Sequence, residues 1–321
     1  MDELRRLKYF VACGEELHFT RAAARLGIAQ PPLSQQIKLL ESEIGARLFD
    51  RTTRGVELTS AGASLLQEAR AVIASAERAV INAQRIGRGE AGEIRVGFTG
   101  SIALNPIVPA VIASFRAAYP LVGVKLQEDT TTSSLRSLRD GRLDIALIRP
   151  SQVETEALFS QKLLDEQMLV AVPASHDLAQ RTSVKISELS LEPFVLYPRT
   201  NGQALYDLVV ATCQANGFSP NIVQEAPQMV STVSLVAAGI GVAMVTETMR
   251  QLHNKGVVYL PIEGTEAPVA SINMVRRERP VSTTILNFQK VVREILKKGP
   301  DGKNTSSADS VPFIYSASVI S

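Results

Sequence analysis

The spacing of hydrophobic positions changes at a glycine-rich segment (87–92) and divides the chain into two parts. Before this segment, apolar residues recur at intervals of three and four, as in Leu4, Leu7 and Phe10, and this spacing predicts helices. After it, alternating segments such as 94–98 predict strands that are separated by helices. The sequence therefore predicts a helical N-terminal part followed by a larger α/β part.

Two short helices joined by a tight turn are predicted within residues 19–41. Thr20 is expected to cap the first helix, since its hydroxyl can accept a free backbone N–H, and Gly27 is expected to end it in a left-handed conformation. Pro31 and Pro32 suit the first turn of the second helix, where a missing N–H does no harm. This arrangement predicts a helix-turn-helix whose second helix presents polar residues to base edges. The alternative is an ordinary helical hairpin in a globular core.

The residues that follow the second helix predict a wing, because a basic turn leads into a short alternating segment (51–58). We expect Gln30, Ser34 and Gln35 to read bases, while the basic side chains contact phosphates or the minor groove. The candidate DNA-contacting residues are Thr20, Gln30, Pro31, Ser34, Gln35, Lys38, Arg51 and Arg54.

The net charge does not distinguish a DNA-binding helix-turn-helix from an ordinary helical hairpin. The segment from Met1 to Leu58 carries nine Arg or Lys and eight Asp or Glu residues, a net charge of +1. Such a module neutralises few phosphates, so we expect DNA affinity to depend on dimerisation and on several binding sites.

The composition is that of a globular protein of two or three domains, with 321 residues of which 45% are hydrophobic. No apolar run reaches the roughly 18 residues of a membrane span, and no signal peptide is recognised, so a cytoplasmic location is expected. Cys13 and Cys213 are expected to be small buried hydrophobes. The three histidines lack metal-ligand spacing, and no catalytic or phosphate-binding motif occurs, so neither an enzyme nor a metal or other cofactor is predicted.

A long helix with a dimerisation seam is predicted over residues 59–86. Its apolar residues follow an unbroken spacing of 4, 3, 4, 3, 4 and 3, which is the a/d pattern of a coiled coil. These residues are Leu65, Ala69, Val72, Ala76, Ala79, Ala83 and Ile86. Leu66, Ile73 and Val80 form a second stripe that could pack on the N-terminal helices. A homodimer would present two recognition helices to a partly palindromic DNA site; the alternative is a helix that serves its own domain alone.

The larger part is predicted to form two α/β lobes. Strand, helix, strand, helix and strand follow one another over 94–148, and a strand at 168–172 opens a second unit. A last strand and helix (268–298) return to the first unit. A cleft between two such lobes is a common place for a small ligand.

Hydroxyl groups next to strand ends are the candidate ligand-binding groups of this cleft. Ser101 and Thr131 precede predicted helices, where a hydroxyl and free N–H groups bind a carboxylate, although capping of the helix is their alternative role. Arg149 follows a buried strand and could grip a second anion; its alternative role is an ordinary surface or lobe-bridging salt bridge. A loop at 197–202 is aimed at the same cleft from the second lobe.

With these residues in view, the chain resembles the LysR-type transcriptional regulators over about residues 1–298. The motif residues that match are Phe19 to Ala23, Gln30 to Ser34, Ile37, Leu40, Glu41, Gly45, Leu48, Phe49, Arg51, Leu58, Thr59, Ala61 and Gly62. The resemblance implies a winged helix-turn-helix, a dimerising linker helix, and a two-lobed effector domain like the periplasmic solute-binding proteins. It also implies a homodimer that assembles to a homotetramer, binds promoter DNA, works with RNA polymerase and responds to a small inducer.

The α/β part is most similar to the branch of the family that regulates the degradation of aromatic compounds. In that branch the positions of Ser101 and Thr131 bind inducer carboxylates, and the position of Arg149 serves a second site. Gly202 and Gln203 belong to the interlobe loop of the same site. Leu205 stands where the branch has an aromatic residue, and this departure bears on the identity of the inducer. Gln35 replaces a common Arg, and this departure bears on which promoter sequence is recognised.

The expected fold class is therefore α/β, with five segments: a winged helix-turn-helix (1–58), a linker helix (59–87), a hinge (88–92), an effector-binding domain (93–298) and a disordered tail (299–321). Lobe I is expected over about 93–164 and 268–298, and lobe II over about 165–267. The expected function is that of an activator of an aromatic-compound operon, controlled by a small aromatic or dicarboxylic acid. The rival is an α/β solute-binding or enzymatic protein whose N-terminal helices only mediate association.

Overall fold

The computed structural model of the protein describes residues 2–52, 55–264 and 267–298, and for Asp2, Arg51 and Thr52 it describes the backbone alone. The chain forms two compact units, with the boundary between Ile86 and Gly87. The candidate Arg54 and the tail at 299–321 lie outside the described residues.

The first unit is a winged helix-turn-helix followed by a long helix. Its elements are α1 (Asp2–Glu16), α2 (Phe19–Leu26), α3 (Gln30–Ile44), β1 (Phe49–Thr52), β2 (Gly55–Leu58) and α4 (Ser60–Gly87). The strands β1 and β2 pair antiparallel and form the wing. The predicted helix-turn-helix and wing are therefore confirmed.

The turn between α2 and α3 has the predicted residues in their predicted roles, but the start of α2 does not. Gly27 has a φ of 68°, a left-handed conformation that glycine adopts without strain, and Pro31 lies in the first turn of α3. The prediction that Thr20 caps α2 is wrong. His18 is the cap, and its Nδ1 accepts the backbone N–H of Arg21 at 3.4 Å, because the helix begins at Phe19.

The core of the first unit is built from one face of each helix. Leu33, Ile37 and Leu40 have helical spacing and are buried on the inner face of α3. From α4, both Leu66 and Ala69 are buried in the same core. The expected division of α4 into an inner stripe and an outer seam is therefore wrong over its first turns, where Ala69 of the seam packs inward.

The second unit contains six helices and nine strands among the residues that the structure describes. The helices are α5 (Gly100–Ala103), α6 (Ile107–Ala118), α7 (Thr131–Arg139), α8 (Gln203–Ala215), α9 (Met229–Ala237) and α10 (Thr283–Lys298). The strands are β3 (Ala91–Phe98), β4 (Leu121–Glu128), β5 (Ile145–Ile148), β6 (Leu158–Pro173), β7 (Pro193–Leu196), β8 (Asn221–Glu225), β9 (Ala243–Thr246), β10 (Val257–Pro261) and β11 (Val269–Arg277). Five short 3-10 helices lie between them, one of them at Glu247–Leu252.

Lobe I is a sheet in the order β11, β5, β3, β4, with β3 parallel to both of its neighbours. The helices α6 and α10 cover one face of this sheet through a core that includes Phe115 and Phe288. The helix α7 covers the other face through Leu135 and Leu138. The carboxyl ends of β3, β4 and β5 consequently lie along one edge of lobe I.

The two lobes share strands. The 16-residue strand β6 pairs with β11 over its first part, and then with β9 and β10 from Met168 onward. The separate strand predicted at 168–172 is therefore corrected, because it is the second part of one continuous strand that crosses from lobe I to lobe II. In lobe II, β7 and β8 form a parallel pair beside it.

The predicted hinge is shorter than the glycine spacing indicates. Helix α4 extends through Gly87, and β3 begins at Ala91 and pairs with Leu121 of β4. Only residues 88–90 lie between the two elements.

Two further expectations can be compared with the structure. Cys13 and Cys213 are both buried and unpaired, as predicted, and burial raises the pKa of their thiols to about 12 and about 11. No helix among the described residues is long and apolar enough to cross a membrane.

Candidate functional site

The outer face of α3 is the candidate DNA-reading surface. Pro31, Gln35 and Lys38 are exposed on it, opposite the buried face of the helix, and Gln30 is exposed at the start of the helix. Within the described residues, Lys38 has no ion-pair partner, so its ammonium group is available to a phosphate. The structure thus brings Pro31, Gln35 and Lys38 of the predicted residues onto one exposed helix face.

The Ser34 side chain is less accessible than those of these four residues, and the wing is positioned by hydrogen bonds to α3. The Ser34 hydroxyl is buried and has no hydrogen-bond partner among the described residues. Glu41, one of the residues that match the family motif, accepts the backbone N–H groups of Leu48 and Phe49 at 2.7 and 3.2 Å. This carboxylate fixes the start of the wing against the end of α3. The side chain of Arg51 is not described.

A carboxylate ties the helix-turn-helix to α4. Glu15 of α1 accepts hydrogen bonds from Arg25 of α2 at 2.7 Å and from Arg70 of α4 at 2.8 and 3.0 Å. The hydrogen bonds from these two arginines hold the pKa of the Glu15 carboxyl below its ordinary value of 4.5. No local sequence pattern links residues 55 positions apart, so sequence reasoning missed this contact.

The second candidate site is a cavity between the two lobes of the second unit. It has a volume of about 70 Å³. Roughly 10–15 Å³ of such space is enough to hold one water molecule, so the cavity has room for more than one water-sized group. Its lining residues are Thr99, Gly100, Ser101, Asp129, Thr130, Thr131, Arg149, Tyr197, Asn201, Gly202, Leu205, Pro227, Gln228 and Met229.

These residues lie close together because most of them follow directly after the end of a strand. Strands β3, β4, β5, β7 and β8 each end just before a part of the lining, which is where ligands bind in open α/β sheets. The N-termini of α7, α8 and α9 and the short α5 also border the cavity. Within the described residues, α5, α8 and α9 begin without a side-chain cap, so their first N–H groups remain available to an anion.

Four of the five predicted effector residues line this cavity. The Ser101 hydroxyl lies 3.2 Å from that of Thr99, and Thr131 is buried at the start of α7, while the neighbouring Thr130 caps that helix by accepting the N–H of Ser133. Gly202 lies beside Thr131, since a Cβ on this glycine would be 3.7 Å from the Thr131 hydroxyl. The fifth residue, Gln203, is the first residue of α8 but is not among the lining residues.

Arg149 lines the cavity and also forms a buried ion pair. Its guanidinium donates to Glu166 of β6 and, at 3.0 Å, to the carbonyl of Ala270. Glu166 also accepts the hydroxyl of Thr248, which in turn lies 3.4 Å from the Asn105 amide. Arg149 therefore forms an ion pair, but the pair is buried, and Glu166 lies on the part of β6 that pairs with β11 of lobe I.

Tyr197 begins the loop at 197–202 that was predicted to face the cleft, and it lines the cavity, although it was not among the candidate ligand-binding residues. It follows β7, is 7% exposed, and its hydroxyl has no hydrogen-bond partner among the described residues. Burial raises the pKa of the Tyr197 phenol well above its ordinary value, so the phenol stays protonated and can donate a hydrogen bond. The sequence signal that could have identified Tyr197 as a ligand-binding residue is its position directly after a buried strand.

Comparison with known proteins gives matches over both units. A family model described as the LysR substrate binding domain matches residues 87–297. A second model, described as a bacterial regulatory helix-turn-helix protein of the lysR family, matches residues 4–63.

Individual relatives agree with these models. The HTH-type transcriptional regulator YnfL of Escherichia coli (strain K12) is 39% identical over 83% of this chain and 89% of its own. The Hca operon transcriptional activator HcaR of the same organism is 34% identical over 92% of this chain and 98% of its own. A crystal structure of full-length CbnR with its target DNA is 25% identical, has a TM-score of 0.78, and covers 92% of this chain and 99% of that one.

Proposed function

Because the chain belongs to the LysR family and is thus a DNA-binding transcriptional regulator, we propose that it activates transcription when a small carboxylate occupies the interlobe cavity. The name of the relative HcaR, an operon activator, supports activation. A regulator that binds promoter DNA works where the DNA is, so the proposed location is cytoplasmic.

One observation carries the carboxylate proposal. Helix N-termini from both lobes border a single cavity together with the hydroxyls of Ser101 and Thr131. The free N–H groups and the helix dipole at such ends favour a negative charge, and a hydroxyl adds one further donor. A carboxylate held by both lobes would stabilise one relative orientation of the lobes, which is how binding would alter the activity of the regulator.

The proposed assembly is a homodimer that associates further to a homotetramer and acts on RNA polymerase. The exposed part of α4 supports the dimer, because Val72 and Ile86, two apolar residues of the predicted seam, are each about half exposed. Apolar side chains in such a row are more stable when a second helix covers them. A two-fold dimer would read a partly palindromic site with two copies of α3.

The target operon that we propose encodes the degradation of an aromatic compound, on the strength of the sequence resemblance at Ser101, Thr131 and Arg149. Among the lining residues of the cavity Tyr197 is aromatic and the others are not, so the lining does not by itself select an aromatic ring. The inducer screen must therefore include smaller acids beside aromatic and dicarboxylic ones.

DNA-binding selection with the full chain, followed by titration of acids, tests this proposal. We expect a salt-sensitive complex with a partly palindromic sequence, and an acid that changes the footprint of wild-type protein but not that of Ser101→Ala/Thr131→Ala. The matched control is Ser187→Ala, a hydroxyl outside the cavity. An acid that changes the footprint of the double variant equally would refute the carboxylate site, and a failure to select any DNA would refute the regulator.

A further inference from the structure

Two hydrogen-bond donors in the wall of the interlobe cavity lack partners. The Tyr197 hydroxyl and the Nε–H of Arg149 are both buried, and neither has a hydrogen-bond acceptor among the described residues. Both residues line the same cavity, and they are 7% and 4% exposed. Buried polar groups are nearly always paired, so two unpaired donors in one cavity indicate that a ligand atom accepts from them.

The acceptor that these donors fit carries no full charge. The guanidinium charge of Arg149 is already compensated by Glu166, which pairs with it in the buried network. The one other charged side chain in the lining is the carboxylate of Asp129. A second carboxylate on the ligand would therefore be buried without a free counter-charge, which is strongly unfavourable.

We infer that the cavity takes a short monocarboxylate with a neutral oxygen acceptor, a 2-oxo or 2-hydroxy acid, whose oxo or hydroxyl oxygen accepts hydrogen bonds from Tyr197 and Arg149. This inference rests on the proposed function, which supplies the carboxylate at the helix N-termini. Most of the lining side chains are polar, which suits a short polar acid. Within the cleft, Tyr197 is the residue that distinguishes an oxo or hydroxy acid from a plain acid.

Isothermal titration calorimetry of the full chain with three four-carbon acids tests the inference. Butanoate, 2-oxobutanoate and butanedioate have the same carbon skeleton length and differ in the group that meets the Tyr197 end of the cavity. We expect 2-oxobutanoate to bind roughly tenfold more tightly than butanoate, the effect of about one net hydrogen bond. Butanedioate is expected to bind more weakly than 2-oxobutanoate.

The variant Tyr197→Phe removes the donor and keeps the ring. It should lower the preference for 2-oxobutanoate over butanoate at least threefold and leave the affinity for butanoate unchanged. Tyr259→Phe is the matched control, because the Tyr259 hydroxyl is also buried without a partner among the described residues but lies outside the cavity. It should leave the preference as it is in the wild type.

The outcomes separate this inference from the proposed function. Equal affinity for butanoate and 2-oxobutanoate, tighter binding of butanedioate, or a preference that survives Tyr197→Phe would overturn the inference. In those cases the carboxylate site still stands if Ser101→Ala weakens binding of every acid. If none of the three acids binds the wild type, the inference fails, and the footprint titration with the wider set of acids decides the carboxylate site.

Discussion

Arg149 and Glu166 form an ion pair with exposed fractions of only 4% and 8%, and this pair joins the end of β5 to the strand that connects the two lobes. Thr248 of lobe II donates to the same carboxylate. The attraction between buried charges offsets their loss of hydration only when both partners are present. The wall of the interlobe cavity is thus fixed by a carboxylate that does not itself line the cavity.

Replacing Glu166 with Gln should strongly destabilise the second unit. The substitution leaves the Arg149 charge buried without a counter-charge, which costs roughly 3–5 kcal/mol. Urea unfolding of the full chain, followed by circular dichroism, measures the loss. The control is Glu93→Gln, which breaks an exposed pair with Lys125 and should cost less than about 1 kcal/mol. Similar losses for the two variants would contradict the structural role of the buried pair.

Glu15 should make the first unit sensitive to acid. Because hydrogen bonds from Arg25 and Arg70 lower the folded-state pKa of Glu15 below 4.5, its stabilisation is present above that pH. The stabilisation is lost as the pH falls from about 4.5 through the lower folded-state pKa. Its size is at most about 1 kcal/mol, since the side chain is partly exposed.

Unfolding of Glu15→Gln between about pH 3 and 7 checks this behaviour. The variant should be less stable than the wild type at neutral pH, and the two stabilities should converge in acid. Glu57→Gln, which removes an exposed carboxylate of β2, is the control for a general charge effect. A stability difference for Glu15→Gln that stays constant down to pH 3 would show that the two arginines do not act through ionised Glu15.

Gly62 should not tolerate a side chain. A Cβ at this position would lie 2.0 Å from the carbonyl oxygen of Leu48, and a backbone atom cannot move aside as a flexible side chain would. We expect Gly62→Ala to destabilise the first unit by about 3 kcal/mol or more. Gly87→Ala in the same helix meets no atom within 4 Å and should be neutral or slightly stabilising. Thermal unfolding compares the two; equal midpoints would refute the close contact.

The elements that follow local rules could be predicted from the sequence, and the long-range contacts could not. Gly27 ends α2 as expected, because its left-handed conformation is a local property. The cap was assigned to Thr20 instead of His18 because the start of a helix depends on where the preceding chain turns.

The residues of the cavity also divide into those that local sequence patterns identify and those that depend on long-range contacts. Ser101 and Thr131 could be identified because strand ends and helix starts converge in an α/β fold. Glu166 has no local cue, since an acidic residue within a strand usually faces solvent, and its partner Arg149 lies 17 residues away. Only the paired strands β6 and β11 bring this carboxylate beneath the cleft.

Lys38 and Gln35 should have separable roles on the exposed face of α3. Lys38→Ala removes one cation from a surface with little net charge, so it should weaken binding to all DNA sequences alike and lower the salt slope of log affinity by about one. Gln35→Ala should leave the salt slope unchanged and lose about 1–3 kcal/mol of discrimination at one base position. Fluorescence anisotropy at several salt concentrations, with the selected site and with single-base variants, measures both quantities. Ser42→Ala, at an exposed uncharged residue near the end of the same helix, controls for effects of substitution on α3. If Lys38→Ala changes base preference, or Gln35→Ala changes the salt slope alone, the two side chains exchange roles and α3 lies in the groove at a different angle.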